Sequence, residues 1–164
     1  MFTYLERDQL PPLFSYLAER YARIEEVPSY EEETIGFEKL LGVLERVRMD
    51  AFYPETLDKA GYLLIQINKG HFFSNGNKRL ALVLATAFLD LNGKRLKNLS
   101  KEEYRILLEG LFPEYKDWSD FADFSSTDFA TYHLSIMIAD SGTFNIEHDN
   151  LKVRIKTFFT KATE

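Results

Sequence analysis

The chain has 164 residues, of which 45% are hydrophobic, enough for one domain with a sizeable core. Its formal net charge of −6 disfavours a nucleic acid or an anionic membrane as partner, because either would favour a basic surface. The absence of cysteine excludes disulfides, thiolate catalysis and cysteine-ligated zinc.

The sequence also disfavours insertion into a membrane. The first residues lack the cationic-then-apolar order of a signal peptide. The longest apolar run, residues 80–91, contains Thr86 and Asp90 and is too short to span a bilayer. We therefore expect a cytoplasmic protein that forms a single domain over residues 1–164, with its core at about residues 8–142.

The N-terminal half of the chain predicts amphipathic helices. Asp8 is expected to cap the first helix, and the acidic residues 31–33 are expected to form the solvated first turn of the second. The pair Tyr53-Pro54 precedes a third helix, which Gly70 is expected to end in the left-handed conformation. The apolar faces consist of Leu10, Leu13, Phe14, Leu17 and Tyr21, then Leu40, Leu41, Leu44 and Val47, then Leu57, Tyr62, Leu64 and Ile65.

The fourth predicted helix, about residues 78–91, is apolar nearly all round. Such a helix must be buried on most sides, so we expect it to be the central rod of a helical bundle. The Asn-Gly pair at residues 92–93 ends it. Residues 100–103 form a capping box for a fifth helix that Pro113 closes, and a sixth helix is expected over about residues 126–142.

The C-terminal segment, about residues 143–158, predicts a β-hairpin. Apolar and polar residues alternate on both sides of the polar turn at residues 148–150. An isolated hairpin is marginally stable in water, so this one is expected to pack on the helices or on a partner. The predicted fold class is therefore mainly α, with a C-terminal hairpin.

Two of the three histidines predict structural rather than chemical roles. His133 lies in an apolar helix and is expected to be a buried core residue, whereas His148 lies in the predicted turn and is expected to be solvated. Neither has metal-ligand spacing with the other or with His71.

Residues 71–79, His-Phe-Phe-Ser-Asn-Gly-Asn-Lys-Arg, form a short turn directly before the apolar helix. The N–H groups at a helix N-terminus lack intrahelical partners and favour an anion. A glycine in such a turn lets the backbone approach a phosphate, and adjacent cations and amides can bind phosphate oxygens. We therefore predict a site for the phosphates of a nucleoside triphosphate, formed by Ser74, Asn75, Gly76, Asn77, Lys78 and Arg79.

His71 stands immediately before this predicted phosphate site. A neutral imidazole can accept a proton from a hydroxyl near neutral pH, so His71 is the candidate general base. It would activate a Ser, Thr or Tyr hydroxyl of another protein for attack on phosphorus. Phe73, two residues later, is expected to anchor the turn in the core.

The pattern His-x-Phe-x-x-Gly-Asn-x-Arg at these positions resembles the signature loop of the Fic/Doc family. Lys78 before the arginine is similar to the Doc (death-on-curing) branch, the toxin half of bacterial toxin–antitoxin pairs. The similarity runs over about residues 27–93. It implies an all-α Fic/Doc bundle in which His71 is the general base, residues 76–79 bind nucleotide phosphates, and ATP with Mg²⁺ is used.

Two positions in and after the loop depart from the Fic pattern. Fic proteins mostly transfer a nucleoside monophosphate to a target hydroxyl, and they usually have glycine at Lys78 and arginine at Leu82. Both departures are similar to Doc proteins, which are described as kinases of a translation elongation factor. The resemblance therefore implies transfer of the γ-phosphate of ATP to a target protein. A protein AMP-transferase (adenylyltransferase) and an inactive Fic-fold binding module remain alternatives.

Two further departures concern the metal and inhibition. Asn75 stands where the family usually has an acidic residue that helps to hold Mg²⁺, and an amide carbonyl is a weaker ligand than a carboxylate. The family's inhibitory pattern, Ser/Thr-x-x-x-Glu-Gly/Asn, is not matched: Arg105 precedes Glu109-Gly110, and residues 29–33 are followed by Thr34. The resemblance then implies that a separate antitoxin inhibits this protein.

Overall fold

The computed structural model describes residues 1–22 and 26–164, which form two compact units, Met1–Gly93 and Lys94–Glu164. The regular structure of the described residues consists of α-helices with short 3₁₀ turns, so the predicted mainly α fold is confirmed. The helices are α1 (Leu10–Tyr21), α2 (Thr34–Arg46), α3 (Thr56–Lys69), α4 (Asn77–Leu91), α5 (Lys101–Leu111), α6 (Ser126–Ala139) and α7 (His148–Ala162).

In the first unit, α4 packs mainly against α3 and also contacts α1, while α2 packs against α3. The prediction of a buried apolar helix is confirmed, because α4 is covered around most of its circumference. Its buried residues are Leu80, Ala81, Leu82, Leu84, Ala85, Phe88 and Leu89. Asn92 ends the helix, and Gly93 follows in the left-handed region at φ 75°, as the Asn-Gly pair predicts.

The predicted starts of α1 and α2 are each displaced by a short 3₁₀ turn. Asp8 lies inside the turn Arg7–Gln9 and does not cap α1, whose first turn contains two prolines preset for helical φ. The acidic residues 31–33 precede α2 instead of forming its first turn: the 3₁₀ turn Tyr30–Glu32 contains two of them, and Glu33 is the N-cap.

Lys59 of α3 is a buried cation that ties α3 to its surroundings. Its Nζ donates to the Asp50 carboxylate at 2.7 Å and to the Val47 carbonyl at 2.8 Å, and the faces of Phe2 and Tyr4 lie over it. A buried charge is tolerated when it is paired and hydrogen-bonded in this way. The hydrogen bond from Lys59 holds the pKa of Asp50 below its ordinary value.

In the second unit, α5 packs against α6 and α7. The predicted capping box of α5 is confirmed, because the Ser100 hydroxyl accepts from the Glu103 N–H and the Glu103 carboxylate accepts from the Ser100 N–H. His133 is buried as predicted, its ring bonded to the Tyr115 hydroxyl at 2.7 Å and the Ser119 carbonyl at 2.8 Å. Burial lowers the pKa of His133, consistent with a neutral structural imidazole.

The predicted C-terminal hairpin over residues 143–158 is wrong, because α7 occupies most of this segment. The buried residues of α7 recur at helical spacing through to the chain end, whereas Val153, expected on the apolar face of a strand, is 63% exposed. Those buried residues are Leu151, Ile155, Phe158, Phe159 and Ala162. His148, predicted to be solvated, is exposed at the first position of the helix.

An ion pair in the second unit predicts a pH dependence of stability. Arg154 binds Glu114 with two hydrogen bonds, 2.8 and 3.0 Å long, and hydrogen bonding to Arg154 holds the pKa of Glu114 below its ordinary value. We expect Glu114→Gln to lower the free energy of unfolding by about 1 kcal/mol at pH 7. A carboxylate with a lowered folded-state pKa stabilises above its unfolded pKa, so this difference should shrink as the pH falls below about 4 and should be lost once the pH is below the folded-state pKa of Glu114.

Urea denaturation of both proteins at pH 7 and pH 3.5 measures this difference. Glu109→Gln is the control, since Glu109 forms an exposed ion pair with Arg105 on α5, and its effect should stay below about 0.5 kcal/mol. A Glu114 effect of equal size at both pH values would contradict the assignment.

Candidate functional site

The loop between α3 and α4 begins with an unusual backbone conformation at His71. Gly70 was predicted to end α3 in the left-handed region, but its φ is −77°, and His71 instead has φ 50°. Glycine is required at position 70 for space: a Cβ there would lie 2.5 Å from the Gln66 carbonyl oxygen and 2.4 Å from the Phe72 ring. A non-glycine residue at positive φ is strained, and such strain occurs often at functional sites.

The side chain of His71 is exposed, and its imidazole makes no hydrogen bond with any residue in the described part of the chain. This contrasts with His133, whose two ring nitrogens are both engaged. An exposed imidazole with both nitrogens available can accept a proton from an incoming hydroxyl.

Phe73 lies in the core as its anchoring role requires, at 4% exposure, with its ring edge-on to Tyr30. Its backbone is held by the side chain of Asn77. The Asn77 Oδ1 accepts from the Phe73 N–H at 3.1 Å, and Nδ2 donates to the Phe73 carbonyl at 2.9 Å. The Asn77 side chain is therefore held inside the loop by both of its polar atoms, and its backbone N–H is available to a phosphate.

Tyr30 is a buried residue that contacts the loop and that the sequence analysis did not identify. It is 1% exposed, its ring stacks on Phe14, and its hydroxyl donates to the Gly76 carbonyl at 3.1 Å. Gly76 has φ 71°, and a Cβ there would lie 2.5 Å from the Tyr30 hydroxyl. Both the backbone conformation and the close approach of Tyr30 thus require glycine at position 76.

Glu33 is the second residue that the sequence did not identify. Its Oε1 accepts from the Ser74 N–H and its Oε2 accepts from the Ser74 hydroxyl, each at 2.8 Å. Glu31 and Glu32 are exposed, as the interpretation of a solvated acidic run requires, whereas Glu33 is partly exposed and its carboxylate is bound to Ser74. Ser74, predicted to bind phosphate, already uses both hydrogens on this carboxylate.

Helix α2 supports the loop directly through Gly36. A Cβ at this position would lie 2.0 Å from the Phe72 carbonyl oxygen and 3.1 Å from the Phe73 ring. The missing side chain lets the backbone of the loop rest against α2.

The N-terminus of α4 has the properties of an anion site. Gly76 is its N-cap, and the first intrahelical bond runs from the Leu80 N–H to the Gly76 carbonyl. The N–H groups of Asn77 and Lys78 have no hydrogen-bond acceptor within residues 1–22 and 26–164. The first turn contains two cations and no acid, an arrangement that opposes the helix dipole and favours a bound anion.

These two cations have different surroundings. Lys78 is exposed and forms no ion pair with any described residue. The guanidinium of Arg79 lies 4.2 Å from the centroid of the Tyr21 ring, at the end of α1. The contact with Tyr21 restricts the orientation of Arg79, whereas Lys78 can move to meet a ligand.

Asn75 is the candidate metal ligand. Its Oδ1 is buried and has no hydrogen-bond partner in the described part of the chain. An unsatisfied buried carbonyl costs about 1–3 kcal/mol, so binding of a cation to Oδ1 would be favourable. Among the described residues, no group of three or more His, Asp or Glu side chains could hold a metal. The loop thus fits a cation only as a single neutral ligand beside other oxygens.

These features define a helical protein with an exposed imidazole and a left-handed glycine in the loop before a buried helix, and with two cations in the first turn of that helix. The model of the Fic/DOC family matches residues 6–89, just over half of the chain, so this chain belongs to the Fic/DOC family. The match includes α1, which the resemblance in the sequence, from residue 27 onward, did not. No match was found among curated proteins or among solved structures. No helix of the described residues is long and apolar enough to cross a membrane.

Proposed function

We propose that this protein transfers the γ-phosphate of ATP to a Ser, Thr or Tyr hydroxyl of a target protein in the cytoplasm, as a Doc-like toxin. Membership of the Fic/DOC family, whose members are often ATP-using transferases, supports an enzyme of this general kind. The observation that carries the proposal is the position of His71. Its exposed imidazole, which forms no hydrogen bond with a described residue, stands at one end of a six-residue loop whose other end is the N-terminus of α4.

The loop and the first turn of α4 would have different roles in the reaction. The N–H groups of Asn77 and Lys78, with the side chains of Lys78 and Arg79, would bind phosphate oxygens and neutralise their charge. His71 would take the proton of the target hydroxyl as its oxygen bonds to the γ-phosphorus. The bond from that phosphorus to the β–γ bridging oxygen breaks, and ADP leaves.

The preference for phosphate over AMP transfer rests on Lys78 and Leu82. The N–H groups of Asn77 and Lys78, with the side chains of Lys78 and Arg79, form the proposed phosphate cradle. Lys78 adds an exposed cation to this cradle, whereas Leu82 is 9% exposed and cannot contribute a charge. This chain has one arginine where an AMP-transferase usually has two, so the charges around the cradle differ. We expect this difference to change which phosphorus atom of ATP lies in line with His71.

Labelled ATP distinguishes the two transfer reactions. The purified protein would be incubated with a bacterial extract and ATP labelled at either the γ- or the α-phosphate. We expect label in a target protein only from γ-labelled ATP, because only that phosphorus is transferred. Labelling only from α-labelled ATP would establish the AMP-transferase alternative. Labelling from neither form of ATP would favour the inactive Fic-fold module. If label is transferred, a translation elongation factor is the first target to examine.

We further propose that Mg²⁺ accompanies the nucleotide, where it would neutralise phosphate charge, with Asn75 as the one protein ligand. Asn75→Asp would replace an amide by a carboxylate, a stronger ligand for a hard cation. We expect this variant to need about tenfold less Mg²⁺ for half-maximal ATP binding, measured by calorimetry across a Mg²⁺ titration. An unchanged Mg²⁺ dependence would remove Asn75 from the metal site.

A separate antitoxin that covers this loop is the proposed inhibitor.

A further inference from the structure

Glu33 is bound to the loop by two specific hydrogen bonds to Ser74. It is the N-cap of α2, 41 positions before Ser74, and both of its carboxylate oxygens accept hydrogen bonds from that one residue. Each bond is 2.8 Å long, the length typical of a charge-assisted hydrogen bond. A carboxylate with one bond could swing about that bond, whereas two bonds fix Ser74 in position and in orientation.

The contact with Glu33 acts together with two neighbouring contacts. Asn77 holds the backbone of Phe73, Glu33 holds Ser74, and Tyr30 holds the carbonyl of Gly76. The loop is thus fixed at three of four successive residues from 73 to 76. The distance from His71 to the start of α4 depends on this stretch, because it is the only covalent connection between them.

The groups that Glu33 binds, the N–H and hydroxyl of Ser74, are not part of the proposed phosphate cradle. Ser74 precedes α4, while the N–H groups of Asn77 and Lys78 remain without a described acceptor. Glu33 therefore leaves the donors of the helix N-terminus available to an anion. Its effect is on the shape of the loop that joins them to His71.

We propose that Glu33 is a positioning residue for the proposed transfer reaction, acting through Ser74 to hold His71 beside the phosphate cradle. This rests on the proposed function. The reaction needs the imidazole and the phosphorus in near-attack geometry, and a shift of about 1 Å can cost about a hundredfold in rate. Loss of Glu33 should then lower kcat and leave the binding of ATP largely intact.

The test compares three variants of the full chain. Glu33→Gln keeps one acceptor oxygen and loses the second, and Glu33→Asp keeps the charge but shortens the side chain by one methylene, about 1.5 Å. Glu32→Gln is the matched control, because it removes the same charge from the adjacent, exposed residue, whose side chain makes no hydrogen bond or ion pair with a described residue of the loop. We expect kcat for both Glu33 variants to fall about ten- to a hundredfold, with KM for ATP changed no more than about twofold. The control should match the wild type.

Hydrogen exchange of the free protein reports the hold on the loop without any reaction. The Ser74 amide hydrogen should exchange at least about tenfold faster in Glu33→Gln than in the wild type, and at the wild-type rate in Glu32→Gln. Unchanged kcat and unchanged exchange in Glu33→Gln would overturn the proposal. So would a higher rate or a lower KM for ATP, since Glu33 would then oppose the nucleotide.

The two proposals fail in different ways. If the wild-type protein transfers no label at all, the proposed function fails, and a positioning role in that reaction fails with it. The exchange data would then still show whether Glu33 holds the loop. If the wild type is active and Glu33→Gln is equally active, only the role of Glu33 is rejected.

Discussion

Replacing His71 is expected to lower the rate of transfer to the target by about 10²–10⁴-fold, the usual contribution of a general base. The imidazole is exposed and makes no hydrogen bond with described residues, so its removal should break no internal contact. ATP should bind nearly as well as in the wild type, because the N–H groups and cations at the start of α4 remain.

The choice of replacement matters because His71 has φ 50°. Asparagine tolerates this region better than other non-glycine residues, so His71→Asn removes the base with the least disturbance of the loop. His148→Ala is the control, since His148 is also exposed but lies at the start of α7. Transfer of γ-label, thermal melting and ATP binding would be measured for each. Wild-type transfer by His71→Asn would exclude His71 as the base.

Growth of a bacterial host tests the same assignment in the cell. Expression of the wild type should arrest growth if the protein is a toxin, and His71→Asn should relieve the arrest. An inactive module that acts by binding alone would give the same growth phenotype with and without His71.

Gly36→Ala is expected to have the largest structural effect, lowering the free energy of unfolding by about 1–3 kcal/mol and abolishing transfer. The new Cβ would lie 2.0 Å from the Phe72 carbonyl oxygen and 2.8 Å from its carbonyl carbon. These are backbone atoms that no rotamer change can move aside. Helix α2 and the loop must therefore separate, and the loop that contains His71 would shift with them.

Gly42→Ala in the same helix is the matched control. Its Cβ would meet only the end of the flexible Arg46 side chain, at 3.1 Å. Because alanine is the better helix former, we expect Gly42→Ala to raise the free energy of unfolding by up to about 1 kcal/mol. Urea denaturation and ATP binding measure both variants. Equal stability of the two would show that α2 and the loop do not pack as described.

The sequence predicted the features that depend on residues within one or two turns. The capping box at Ser100, the end of α4 at Gly93 and the buried character of α4 follow from local pattern, and each is confirmed. The loop at residues 71–79 was identified in the same way, because its residues are consecutive.

The C-terminal helix shows where a local pattern was misjudged. Alternation over residues 144–155 predicted strands, but Phe158, Phe159 and Ala162 extend the helical spacing of Leu151 and Ile155. The first-turn Asp149 and last-turn Lys161 also suit the helix dipole. A longer window would have favoured the helix, since apolar residues on one face of a strand recur at every second position, whereas those of α7 recur at three- and four-residue spacing.

By itself, then, the sequence determined the family, the helical fold class and the position of the loop, because these are written in consecutive residues. Only the tertiary structure decided which distant groups hold that loop. Glu33 and Tyr30 reach partners 41 and 46 positions away, and no local pattern records such pairings. It also decided that Gly36 is needed for space, because the Phe72 carbonyl lies beside it only once α2 has packed against the loop.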